Sequence, residues 1–179
     1  MQYVYIHGFG TTGANSTKFK KIAAHALAKK AHAIALEWNE KQPDVLNQLI
    51  NQLNQQINWN EPVLLIGSST GGNFTYQLLE QFPNKKINFV LINPLLNVEQ
   101  RRVDNHFFPL MLANQLKNPS ENLSNGLVLL GKNDEILDYN YTYEKLHNKN
   151  KIITGDWNHT LSDLNSTDFL QFIDAGWQI

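Results

Sequence analysis

The chain contains no cysteine. That excludes thiol nucleophiles, cysteine-ligated zinc and any disulfide framework, and it is compatible with a reducing compartment. No stretch reaches the roughly 18 consecutive apolar residues of a membrane-spanning helix, and residues 1–9 lack the basic start and long apolar run of a secretory leader. A cytoplasmic location without a membrane partner is therefore the expectation. Charge is scarce as well: 17% of residues are charged and the formal net charge is -1, so no field of either sign draws in nucleic acid. Internal repeats and interdomain linkers are missing too. What is present is 179 residues, 42% of them hydrophobic, which suits one domain, 1–179, able to bury roughly 70% of its unfolded surface. Nothing in the sequence marks an oligomeric state.

Short β-branched and aromatic runs alternate with segments of helical period. Residues 3–6 read as a strand ending in His7-Gly8-Phe9-Gly10, followed by a helix capped at Ser16 or Thr17 that carries Phe19, Ile22, Ala23, Ala26 and Leu27. Residues 31–36 read as a second strand, followed by a helix with Val45, Leu46, Leu49, Ile50 and Leu53 on one face. Strands at 63–66, 87–92 and 127–130, and a weaker one at 151–154, continue the alternation. Near-continuous apolar strands separated by helix-sized segments imply an α/β three-layer sandwich around a mostly parallel sheet of about six strands. The one long irregular stretch, 97–125, has the apolar cluster Phe107-Phe108-Pro109-Leu110-Met111-Leu112 at its middle.

The turn after the third strand reads Gly67-Ser68-Ser69-Thr70-Gly71-Gly72. Only Ser69 is flanked by glycine two residues away on both sides, the G-x-S-x-G spacing of a nucleophile at a tight strand-to-helix turn. The glycines allow close packing, strained backbone presents the hydroxyl, and the N–H of Thr70 at the helix start faces a developing oxyanion. A phosphate-binding loop is disfavoured because no lysine follows the second glycine.

A serine needs a base, and the base needs an acid to hold its tautomer. With this nucleophile turn the chain order is serine, acid, histidine, each on a loop beyond a strand. Asp134 lies just past the strand at 127–130, with Glu135 and Asp138 as rivals in the same loop; His159 lies past the strand at 151–154. The other histidines sit in helices, strands or the irregular stretch, except His7, whose H-G-F-G setting suits a second oxyanion loop. The second donor is then the N–H of Phe9.

Tyr5-Ile6-His7-Gly8-Phe9, the turn GSSTGG, Ile92-Asn93-Pro94, GKNDEILDY from Gly131 and GDWNHT from Gly155 together resemble the small YqiA-type esterases of the α/β-hydrolase superfamily, over nearly the whole chain. The resemblance implies a reduced α/β-hydrolase core with a short cap, the triad Ser69, Asp134 and His159, and hydrolysis of short-chain carboxylic esters without metal or organic cofactor. Thr70 departs from the leucine usual after the nucleophile, and Gly155-Asp156-Trp157 differs from the small or acidic residues expected before Asn158; both bear on substrate preference. The cap falls on 97–125, where the apolar cluster either closes an acyl pocket, setting Phe107, Phe108 and Leu110 with Phe9 against a small-molecule acyl ester, or packs as a structural helix.

Two alternatives remain. The same triad can serve a thioesterase or acyltransferase, for which a basic rim at Lys132, Arg101 and Arg102 would be a sign. The fold can also carry a non-catalytic binding protein.

Overall fold

The computed structural model describes residues 1–104, 108–119 and 123–179. In chain order the elements are β1 (Gln2–Ile6), α1 (Thr17–Ala28), β2 (His32–Leu36), α2 (Val45–Gln56), β3 (Val63–Ser68), α3 (Thr70–Gln81), β4 (Ile87–Ile92), α4 (Val98–Asp104), α5 (Leu110–Ala113), β5 (Leu127–Gly131), α6 (Tyr139–Leu146), β6 (Lys151–Gly155) and α7 (Ser166–Ala175). The strands form one sheet in the order β2-β1-β3-β4-β5-β6. Every neighbouring pair is parallel, so the expected three-layer sandwich is present with a fully parallel sheet.

The strands look uniformly apolar because both faces are covered. On β1, Val4 and Ile6 join the core under α2 and α3, while Tyr3 and Tyr5 join the core under α1 and α7; on β3, Val63 and Leu65 alternate with Leu64 and Ile66 in the same way. The chain leaves β1 toward β2 on one side and returns to β3 on the other. Such a reversal marks the carboxyl ends of β1 and β3 as the usual place for a ligand in an open parallel sheet.

Helix starts follow capping chemistry. The side chains of Ser16, Asp44, Asp138 and Asn165 each accept a first-turn backbone N–H of α1, α2, α6 and α7. Ser69, at the same position on α3, makes no such bond, leaving its hydroxyl for another partner.

The described part of the stretch 97–125 lies against α2 and α3. Leu112, Ala113 and Leu116 are buried in the core beneath those helices, whereas Leu110 and Met111 are exposed. Polar side chains fasten the segment: Asn73 donates to the carbonyls of Leu95 and Lys117, Gln77 donates to that of Gln115, and Gln115 accepts from Val45 N–H and donates to Gln42 O. This is why α3 is buried from Thr70 through Leu78 despite its polar residues. Among the described residues, no helix is long and apolar enough to cross a membrane.

Candidate active site

Ser69 sits at the β3–α3 turn with φ 53° and ψ -121°, a left-handed conformation that costs a non-glycine residue of order 1–3 kcal/mol unless its surroundings enforce it. They do. A Cβ on Gly67 would stand 2.1 Å from Thr75 Oγ1, and one on Gly71 would stand 2.2 Å from the carbonyl oxygen of Ile6. The G-x-S-x-G glycines are therefore places where helix and strand pack too closely to admit a side chain. Ser69 N–H donates to Ile92 O at 2.9 Å and Ser69 O accepts from Leu95 N–H at 3.0 Å, pinning the turn to the end of β4.

The Ser69 hydroxyl is 3.0 Å from Nε2 of His159, and His159 Nδ1 is 2.8 Å from Oδ2 of Asp134. Three residues from three separate loops thus form one hydrogen-bonded chain. Asp134 is almost fully buried, and its other oxygen accepts the N–H groups of Ile136 and Leu137, both at 2.8 Å. With Nδ1–H donated to that carboxylate, Nε2 is left as the acceptor facing the serine.

The neighbouring carboxylates, rivals for the acid role in the sequence, do other work. Glu135 accepts the backbone N–H of His159 at 3.0 Å, and Asp138 caps α6. Asn93 went unassigned in the sequence apart from its place in the INP motif. Its Nδ2 donates to the carbonyls of His159 (2.9 Å) and Asn158 (3.2 Å), while its Oδ1 accepts Gly131 N–H at 2.8 Å. It too has positive φ, as does Leu161 two residues beyond the histidine, so backbone strain gathers around these loops.

The loop after β1 lies directly over the serine: a Cβ on Gly8 would stand 3.2 Å from Ser69 Cβ. His7 holds that loop. Its Nδ1 is 2.8 Å from Gly8 O, a carbonyl that can only accept, so Nδ1 carries the proton and Nε2 accepts the N–H of Trp38 at 3.4 Å. The Trp38 indole N–H donates to His7 O, and the two rings stack at 4.9 Å. Burial pushes the His7 imidazole below its usual range, outweighing the opposing bond to Gly8 and the charge of Glu37. Trp38 carried no motif signal; the register of β1 against β2, which pairs Ile6 with Leu36, is what sets it beside His7.

Phe9 is about one-third exposed and meets the buried Phe108 edge to face, with ring centroids 5.4 Å apart. Leu110, by contrast, is on the surface, and Phe107 lies outside the described residues. Of the basic residues considered for a rim, Arg101 lies over the Phe108 ring at 5.4 Å, Lys132 stands 4.0 Å from Asp156 at the surface, and Arg102 is exposed. No cluster of three or more histidine or carboxylate side chains able to hold a metal occurs among the described residues.

The family model described as "Uncharacterised protein family (UPF0227)" matches residues 2–107 and 110–174. None of the curated proteins compared matches the chain in sequence. Among solved structures, the mouse α/β-hydrolase domain-containing protein 10 is similar with a TM-score of 0.72 at 13% identity, covering 97% of this chain and 90% of that one. A pyrethroid hydrolase from Sphingobium faniae JZ-2 gives 0.70 at 12% identity over 100% and 99% of the two chains, and the ydeN gene product of B. subtilis gives 0.66 at 16% over 97% and 98%. At such identities the likeness is one of fold, and the fold is that of the α/β-hydrolases.

Proposed function

The chain belongs to UPF0227, an uncharacterised protein family, and from the arrangement around Ser69 we propose that it is a serine hydrolase of the YqiA-type kind that cleaves short-chain carboxylic esters through an acyl-enzyme. The observation that carries this reading is the continuous chain from Ser69 Oγ through His159 to Asp134, 3.0 and 2.8 Å long at its two links, built on a strained strand-to-helix turn.

As Ser69 Oγ bonds to the ester carbonyl carbon, its proton passes to His159 Nε2, and the buried Asp134 carboxylate stabilises the imidazolium. The carbonyl electrons move onto oxygen, where the N–H groups of Phe9 and Thr70 hold the charge; first-turn N–H groups have no intrahelical acceptor, so that of Thr70 is available. Collapse breaks the bond to the alkoxy oxygen, which takes the proton from His159 and leaves as alcohol. Water then gives a proton to Nε2 as its oxygen attacks the acyl carbon, and collapse breaks the bond to Ser69 Oγ, which takes that proton back as the acid departs. Phe9 and Phe108 supply an apolar wall for the acyl chain, and 97–125 serves as a short cap within one domain.

The test is hydrolysis of p-nitrophenyl acetate, butyrate and octanoate by the wild type and by Ser69→Ala. Turnover of the shorter esters that drops to background in Ser69→Ala is the expected result; equal turnover by both proteins would overturn the mechanism.

A further inference from the structure

Beside the His159 loop lies a cleft of about 410 Å³, and Thr11, Lys18, Lys21, Thr160, Leu161 and Phe169 are among the residues that line it. Thr160 and Leu161 continue directly from His159, and Thr11 follows the loop that crosses Ser69. The cleft is thus walled by the two segments that frame the reacting atoms.

Its charge is unusual. Lys18 and Lys21 are one turn apart on the same face of α1, at a helix end that favours anions, and no acidic residue occupies that first turn. Lys21 stacks over the Phe169 ring at 5.8 Å. Among the described residues neither ammonium has a carboxylate within ion-pair distance. The acidic side chains on the flanking loops are committed elsewhere: Glu37 accepts the N–H groups of Gly13 and Ala14, and Asp163 accepts that of Asn158. Burial, with the like charge of Lys21 added, brings Lys18 down to about 8. A desolvated cation without a counter-charge is costly to keep unless something negative is meant to meet it.

The side on which the cleft lies says which part of a substrate it would take. Leu161 and Phe169 belong to the core on the α1 and α7 face of the sheet, whereas Phe108 belongs to the α2 and α3 face. The histidine of such a site delivers its proton to the leaving oxygen, so the leaving group lies toward the histidine loop. Resting on the serine-hydrolase reading, we propose that this cleft is a leaving-group subsite for an anion: the substrate is an ester whose alcohol carries a carboxylate or phosphate, held by Lys18 and Lys21.

The experiment compares kcat/KM for three acetyl esters that differ only at the far end of the alcohol: para-acetoxybenzamide, para-acetoxybenzoate and para-acetoxyphenyl phosphate. The wild type should prefer at least one anionic ester by roughly tenfold or more, the scale of one charge-assisted hydrogen bond. That ratio should collapse toward one in Lys18→Gln and Lys21→Gln, persist in Lys18→Arg, and be unaffected in Lys20→Gln, an exposed neighbour. The larger of the two anionic preferences identifies carboxylate or phosphate as the natural group. Calorimetric titration of wild type and Lys18→Gln with benzoate and with phenyl phosphate gives a readout that needs no turnover. Hydrolysis of the neutral ester with no anionic preference would overturn the subsite and leave the hydrolase reading standing. Binding of an anion that Lys18→Gln abolishes, without hydrolysis of any ester, would keep the anion site and remove the hydrolase reading; neither binding nor preference would overturn the subsite.

Discussion

His159 is held at every polar position it has: Nδ1 by Asp134, Nε2 by Ser69, the backbone N–H by Glu135 and the carbonyl by Asn93. Asp134→Asn should leave the protein folded while lowering kcat by about 10³–10⁴, because the amide cannot stabilise the imidazolium and favours the wrong tautomer. Asn93→Ala removes the bridge between the β5 end and the histidine loop. It should lower kcat by about 10²-fold with little change in KM, through misplacement of the imidazole, and cost about 1–3 kcal/mol of stability from stranded buried groups; steady-state kinetics and urea unfolding measure the two effects. Ser69, Asp134 and His159 were legible in the sequence because each sits just beyond an apolar strand and they occur in a fixed order. Asn93 was not, because its partners are backbone atoms 38 to 66 residues away, and no local pattern announces a long-range bond to a carbonyl.

At the scale of elements, the β3–α3 turn depends on contact rather than on side-chain capping. Gly71→Ala would set a methyl 2.2 and 2.4 Å from the carbonyl oxygens of Ile6 and His7, atoms of β1 and the loop beyond it that cannot yield separately from the sheet. The expected cost is about 3 kcal/mol or more, or failure to fold, read as a fall in melting temperature. Ser16→Ala removes the α1 cap and the hydroxyl that donates to Tyr5 Oη at 3.0 Å, and should cost about 1–2 kcal/mol. The first three helices and all six strands could be placed from the sequence; β1, β3, β5 and β6 run a residue or two longer in the structure, β4 has the expected bounds, and β2 starts one residue later. α4, seven mostly polar residues, was too short to show a period, and α5, four residues after Pro109, falls in the cluster for which a structural helix was one of two readings. The inward turn of Asn73 and Gln77 was equally hidden, since polar residues on a helix are read as its wet side until something packs over them.

Over the whole molecule, the sheet places the site at the switch between β1 and β3, and His7 ties its first loop to Trp38, two residues beyond β2. Because burial holds the His7 pKa below 6.5 in the folded state, the unfolded chain binds the proton more readily. The associated stability is present in full above pH 6.5 and is lost as the pH falls toward the folded-state value. Melting temperature should therefore drop between about pH 7 and pH 5, and His7→Gln, starting lower, should show a shallower decline. At the opposite face Asp174 on α7 joins Tyr3, His25 and Lys29, closing the last helix onto β1 and α1. The central claim is that Ser69 is the activated nucleophile of this assembly. Its most direct test is intact-mass and peptide analysis after treatment with a fluorophosphonate. A single phosphonyl adduct on Ser69, absent in Ser69→Ala and formed far more slowly in His159→Ala, is the predicted result; no adduct, or one of equal extent in Ser69→Ala, would contradict it.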